Sequence, residues 1–264
     1  MTTETPVQEA LRAALSPDRQ VRQRGALRLG TLADASVAAE MVSLLVSEQD
    51  PFVRETLTWA VVAQPEAAMP HLLAALEGED PSRAQVLHAL SKIGDPSALG
   101  HVLPLVDDPD PAVAAKAWWV LGRTGEASSA PVLVERLGQQ DDPEQRVALT
   151  RALEQLGAPA VPGLAEVLAD EMRPHGERRH AAEALVAVGE PAAQALPELI
   201  RVAQGPDREL AMLALEAMAP LEDPRVEQVL ETMRDGESRW LSTVADWLLG
   251  DRAERRTRAV RRRP

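Results

Sequence analysis

The sequence has no cysteine and no tyrosine, a single phenylalanine and five tryptophans. Without cysteine there is no disulfide framework, no thiolate metal site and no cysteine nucleophile. Long apolar runs are also missing. No segment approaches the roughly 18 uninterrupted apolar residues of a membrane span, and the opening MTTETPVQEA has neither a basic cluster nor an apolar core of a signal peptide. These features predict a cytoplasmic protein with no membrane span. At 264 residues, 45% hydrophobic and 26% charged, the chain is too apolar to be disordered and long enough to bury a sizeable core.

Basic charge is scarce except at one end. The formal net charge is −13, but residues 252–264 hold seven arginines and one glutamate, so the tail carries +6 and residues 1–251 carry −19. An acidic body repels phosphate backbones, which argues against nucleic acid on the main surface and favours basic proteins or peptides as partners. The tail lacks apolar periodicity and is expected to be disordered, either as a solubility appendage, as an anchor for nucleic acid or anionic lipid, or as a tethered ligand for the acidic body.

What is abundant is repetition. Segments such as DPFVRETLTWAVV, DPSRAQVLHALSKIG, DPAVAAKAWWVLGRTG and DPEQRVALTRALEQLG recur every 29–32 residues. One column reads Arg22, Arg54, Arg83, Ala114, Arg146, Arg178, Arg208 and Arg239. Seven residues on stand Leu29, Val61, Leu90, Leu121, Leu153, Leu185, Leu215 and Asp246. Eleven residues on stand Ala33, Pro65, Gly94, Gly125, Gly157, Gly189, Ala219 and Gly250. Asp50, Asp80, Asp110 and Asp142 precede prolines and fit the N-cap, with the proline at the first helical position, where its missing N–H costs nothing. Apolar residues at offsets 3, 6, 7 and 10 form one helical stripe, and the closing glycine suits a left-handed C-cap. A second apolar stripe follows in each unit, as in SAPVLVERL at 129–137 and APAVPGLAEVL at 158–168. Each copy is therefore a helical hairpin that cannot hide its apolar face alone and must stack on its neighbours.

The pattern D-P-x-V-R-x-x-A-A-x-A-L-G-x-I-G resembles the HEAT repeat, in the bacterial variety called phycobilisome-lyase-like, over residues 16–250. Departures fall at Ala114 and at Val62, Glu154 and Val186, where glycine is common. The resemblance implies an all-α superhelix, a HEAT-like solenoid of seven helix pairs with a leading helix near Pro6–Leu15 and a closing helix near Ser238–Leu249. Residues 1–251 would form one array. It also implies that the arginine column pairs with acidic residues of a neighbouring repeat, and that second helices line a concave side.

On that side the expected outward row is acidic: Glu40, Asp108, Glu135, Glu166, Asp170, Glu198 and Glu231. One-signed charge in a groove focuses its field on an oppositely charged ligand. On the first helices, offset 5 begins apolar and aromatic, and Trp59 and Trp119 mark either a convex partner patch or fillings of the seams between helices. Trp240 and Trp247 are expected to cap the end of the stack.

Catalytic signals are weak. The histidines, His71, His88, His101, His175 and His180, are scattered and none is followed by glutamate, unlike the paired His-Glu motifs of HEAT-like deoxyhypusine hydroxylases. His71 and His101 fall at equivalent places but lack a third metal ligand. No metal or other cofactor is therefore expected. The expected function is a noncatalytic protein-binding scaffold. The alternative is an enzyme on the same scaffold, of bilin lyase or isomerase type, or less readily of the alkylpurine DNA glycosylase type, whose groove must be basic. The oligomeric state stays open.

Overall fold

The computed structural model describes residues 4–77 and 83–261, with side chains as far as residue 255. Among these residues there is no strand. A leading helix, α1 (Pro6–Ala14), precedes seven hairpins: α2 (Arg19–Leu32) with α3 (Ala38–Ser47), α4 (Pro51–Val62) with α5 (Pro65–Leu76), α6 (Arg83–Ile93) with α7 (Leu99–Val102), α8 (Pro111–Thr124) with α9 (Ser129–Val134), α10 (Pro143–Leu156) with α11 (Val161–Ala169), α12 (His175–Val188) with α13 (Leu196–Ala203), and α14 (Arg208–Met218) with α15 (Pro224–Arg234). A last helix, α16 (Arg239–Arg261), follows.

The chain divides into two compact units, Met1–Thr124 and Gly125–Pro264. In the first, α1 packs on α2, and the first helices α2, α4, α6 and α8 lie side by side in that order. In the second, α10, α12 and α14 do the same, α11 packs against α12 and α13, and α15 against α16.

The repeat columns explain this packing. At offset 7, the seven apolar residues from Leu29 to Leu215 are all at most 1% exposed. Each such burial is worth about 1.5–3 kcal/mol, so this column alone is a major source of stability. Its eighth member, Asp246, is polar and exposed on α16.

Helix starts follow the expected caps. Asp50 Oδ1 accepts the amides of Phe52 and Val53, Asp110 that of Ala112, and Asp142 that of Glu144. Asp80 lies outside the described residues. Asp18, Asp207 and Asp223 cap α2, α14 and α15 in the same way. At offset 11 a positive φ is present at Gly94, Gly125, Gly157 and Gly189, and also at Ala33, which is left-handed with ψ 44°, whereas Gly157 and Gly189 have ψ −132°. Ala219 is instead right-handed, Pro65 opens α5, and Gly250 lies inside α16.

That last exception overturns part of the expectation for the tail. Helix α16 does not stop near Leu249 but runs to Arg261, so residues 252–261 are helical rather than irregular. Two contacts account for the extension. Asp251 pairs with Arg255 one turn on, and buried Arg252 donates through Nη1 to the carbonyls of Ala219 and Leu221, at 3.0 and 2.7 Å. Trp247 is no cap, being 68% exposed; Ala245 and Leu248 are the buried apolar residues described on that helix. Trp240 instead lies beneath the Arg208 guanidinium, 5.8 Å from ring centre.

Candidate functional site: an acidic cleft on the second helices

The arginine column is structural, but its partners vary. Arg22 grips Glu48, at the end of its own hairpin, through Nε and Nη2 at 2.8 and 3.1 Å. Burial pushes the Glu48 carboxyl up, yet the Arg22 hydrogen bonds and the Asp50 amide hold it below its ordinary value. Arg83 meets Asp108 of its own hairpin at 3.4 Å, and Arg146 meets Glu183 of the following hairpin at 2.7 Å. Arg54 and Arg178 donate to main-chain carbonyls at the end of the preceding second helix, Glu48 O and Leu168 O. Pairing with the neighbouring repeat thus holds for Arg146, whereas Arg22 and Arg83 close their own hairpins. At the break in the column, Ala114 is simply buried.

This pairing removes one residue from the expected acidic row. The Asp108 side chain is 9% exposed, paired to Arg83, and its Oδ1 accepts the Asp110 amide at 2.9 Å. It ties the loop after α7 instead of facing a ligand. Glu40 on α3, Glu135 at the end of α9 and Glu231 on α15 are exposed.

The other three residues share one cleft. Glu166 on α11, Asp170 in extended conformation just past its end, and Glu198 on α13 line an open depression of about 630 Å³ together with Gln194 and Arg201. Its floor is small and apolar, with Pro162, Ala165 and Ala169. Leu164, Leu168, Leu196 and Leu199 are fully buried on the opposite faces, and so they set the rotation that turns the carboxylates outward. Among the described residues, neither Glu166 nor Glu198 has an ion-pair partner, while Asp170 lies 3.9 Å from Arg173. Hydrated carboxylates on a shallow floor can receive guanidinium or ammonium groups with little desolvation.

The tryptophans differ in burial. The Trp59 ring lies so close to Gly30 that a Cβ there would come within 2.3 Å of it, although 49% of the residue remains exposed. Trp119 is partly buried, and neighbouring Trp118 is buried with its indole N–H donated to Val106 O at 2.9 Å. Both His71 and His101 are exposed, His101 lying 3.9 Å from Glu77. No cluster of three or more potential metal ligands exists among the described residues, and no described helix is long and apolar enough to cross a membrane.

Sequence reasoning missed a buried polar knot in the second unit. His180, fully buried, joins Gly138 and Thr150. The available signal was a histidine on the apolar stripe of α12, where a leucine or alanine would ordinarily stand.

The model for HEAT repeats matches residues 69–154 and, overlapping, 101–174. Comparison with curated protein sequences finds no match. Among solved structures, Kap121p superposes with a TM-score of 0.54 at 16% identity, over 92% of this chain and 32% of that one. Kap121p bound to Pho4p gives 0.56 at 13% identity, over 92% and 32%. Kap95p, solved with RanGDP, gives 0.55 at 14% identity, over 92% and 40%. The chain thus spans about a third of the length of these larger solenoids. The matched repeats, the helical hairpins and these superpositions agree on the fold: the chain is an all-α solenoid with HEAT-like repeats matched over residues 69–174.

Proposed function

We propose that this HEAT-repeat chain is a noncatalytic scaffold that receives a basic peptide or protein segment on the second-helix face of its C-terminal unit. The observation that carries the reading is the convergence of Glu166, Asp170 and Glu198 on one cleft, opposed by Arg201 as the single cation among its lining residues. Acidic charge there is neither neutralised by a partner across the cleft nor buried, so it is available to an incoming cation. Glu135 and Glu231, exposed on the same unit, extend the surface that a longer basic partner meets, and Glu40 adds exposed acid on the first unit.

The interaction is chiefly electrostatic, and its affinity falls with salt. The test is a fluorescence titration with an arginine-rich peptide at low and high ionic strength. The intact protein should bind and lose affinity as salt rises. The combined Glu166→Gln, Asp170→Asn and Glu198→Gln variant should lose about tenfold or more at low salt, each lost charge contact being worth up to about 1 kcal/mol. Equal binding by this variant overturns the assignment of the cleft.

A further inference from the structure

The chain holds only two lysines, Lys92 and Lys116, among 28 basic residues; Lys116 lines a cavity whose wall residue Glu55 is paired with Lys92. The cavity, about 300 Å³, is built in the N-terminal unit from the first helices α4, α6 and α8, and is lined among others by Arg54, Glu55, Gln85, His88 and Lys116. That volume is at the small end of ligand pockets.

Its charges do not cancel. The one carboxylate on the wall, Glu55, is already engaged: Lys92 Nζ lies 3.1 Å from Oε1 and His88 Nε2 lies 3.3 Å from Oε2. Lys116 and Arg54 remain. Among the described residues neither meets a carboxylate, and Arg54 spends one N–H on Glu48 O at 3.3 Å. Arg22 and Arg146, at equivalent places in the repeat, each grip an acid. Two cations thus border one cavity in a chain whose body is strongly acidic.

The polar wall beside them is fixed. The Thr58 hydroxyl donates to Arg54 O at 2.9 Å, so it must accept from Gln85 Nε2, also at 2.9 Å. This sets the amide orientation and leaves the second Gln85 N–H to donate elsewhere. Burial, with Lys116 next in effect, depresses the His88 pKa, which places the lysine's field within the cavity.

We propose that this cavity binds the phosphate group of a small phosphorylated molecule, with Lys116 and Arg54 supplying charge and Gln85 a neutral donor. A phosphate monoester carries close to two negative charges at neutral pH and accepts several charge-assisted hydrogen bonds, which matches two cations and a spare amide. The site is independent of the acidic cleft, being built from other helices in the other unit.

The test is an NMR titration of the intact protein with inorganic phosphate and with glycerol phosphate at constant ionic strength. Saturable shifts should centre on the backbone amides of Gln85, His88 and Lys116. Lys116→Met should weaken binding about tenfold, as expected for loss of one charge-assisted hydrogen bond. Glu55→Gln should tighten it by removing the competing carboxylate, a gain that partial unfolding cannot mimic. Non-saturating shifts with both probes, or dissociation constants unchanged in both variants, overturn the proposal.

Discussion

The Nδ1 atom of His180 accepts the backbone N–H of Gly138, 42 residues earlier in the chain, at 3.2 Å. That single contact determines the tautomer. The proton of the neutral ring must sit on Nε2, which lies 3.0 Å from Thr150 Oγ1, while the Thr150 hydroxyl donates to Arg146 O at 3.0 Å. Every polar atom of the buried ring is satisfied as neutral imidazole, and a second proton on Nδ1 would face the Gly138 N–H.

Burial first, and the Arg146 charge second, depress the His180 pKa to about 4. The unfolded ring takes its proton near 6.5, so between that value and about 4 the unfolded state binds a proton that the folded state refuses. Stability therefore falls as pH drops through this window. Between pH 7.5 and 5.5 the loss from this group should be about 1.3 kcal/mol. Urea unfolding of the protein and of His180→Gln at both pH values checks it. The variant starts less stable but should lack this part of the decline, and an identical decline in both would remove His180 as its source.

Replacing Gly138 with alanine should destabilise the second unit. The residue has φ +73°, and an added Cβ would stand 2.9 Å from the Glu177 amide nitrogen and 3.0 Å from its Cα, backbone atoms that cannot swing aside. Forced conformation and overpacking together should cost about 2 kcal/mol or more. Thermal unfolding followed by circular dichroism measures it, and an unchanged midpoint would show that the loop yields freely.

At Ala33 the opposite change should help. This residue ends α2 with φ 47° and ψ 44°, a left-handed conformation, and glycines of positive φ stand at the equivalent positions 94, 125, 157 and 189. A side chain there costs about 1 kcal/mol, partly offset by the greater freedom of glycine in the unfolded chain. Ala33→Gly should raise stability by about 0.5 kcal/mol, measured by denaturant unfolding, with the Leu29 carbonyl bond at 3.0 Å retained.

Arg252 belongs to the folded body despite its place at the start of the basic tail. Arg252→Ala strands the carbonyls of Ala219 and Leu221 and should cost about 2 kcal/mol. Truncation after Arg252 should cost much less. Comparing the two unfolding midpoints separates the anchoring residue from the charge beyond it, and equal losses would place the anchor further along the helix.

Much of the fold is legible in the sequence because a repeat writes the same local physics several times. The Asp-Pro caps, the apolar stripe ending in Leu153 or Leu185, and the closing glycines each specify a helix boundary through contacts within a few residues. The cleft was legible in part. Glu166 and Asp170 are brought near each other by their closeness in sequence, whereas their meeting with Glu198 depends on how α11 packs against α13. Asp108 misled for a related reason: spacing assigned it to an outward row, but short 3-10 turns around α7 leave it in the following loop, within reach of Arg83.

By itself the sequence determined the hairpin period, the seven helix pairs and the acidic character of the body, since these rest on caps, apolar spacing and charge that neighbouring residues settle among themselves. Tertiary structure decided the rest. It chose which arginine meets which acid, pinned Arg252 and thereby lengthened the last helix, shut His180 away from water, and brought Arg54 and Lys116 to one cavity. Those outcomes depend on groups 25 to 42 residues apart meeting across packed helices, and only the stacking of one hairpin on the next brings such groups within hydrogen-bond reach.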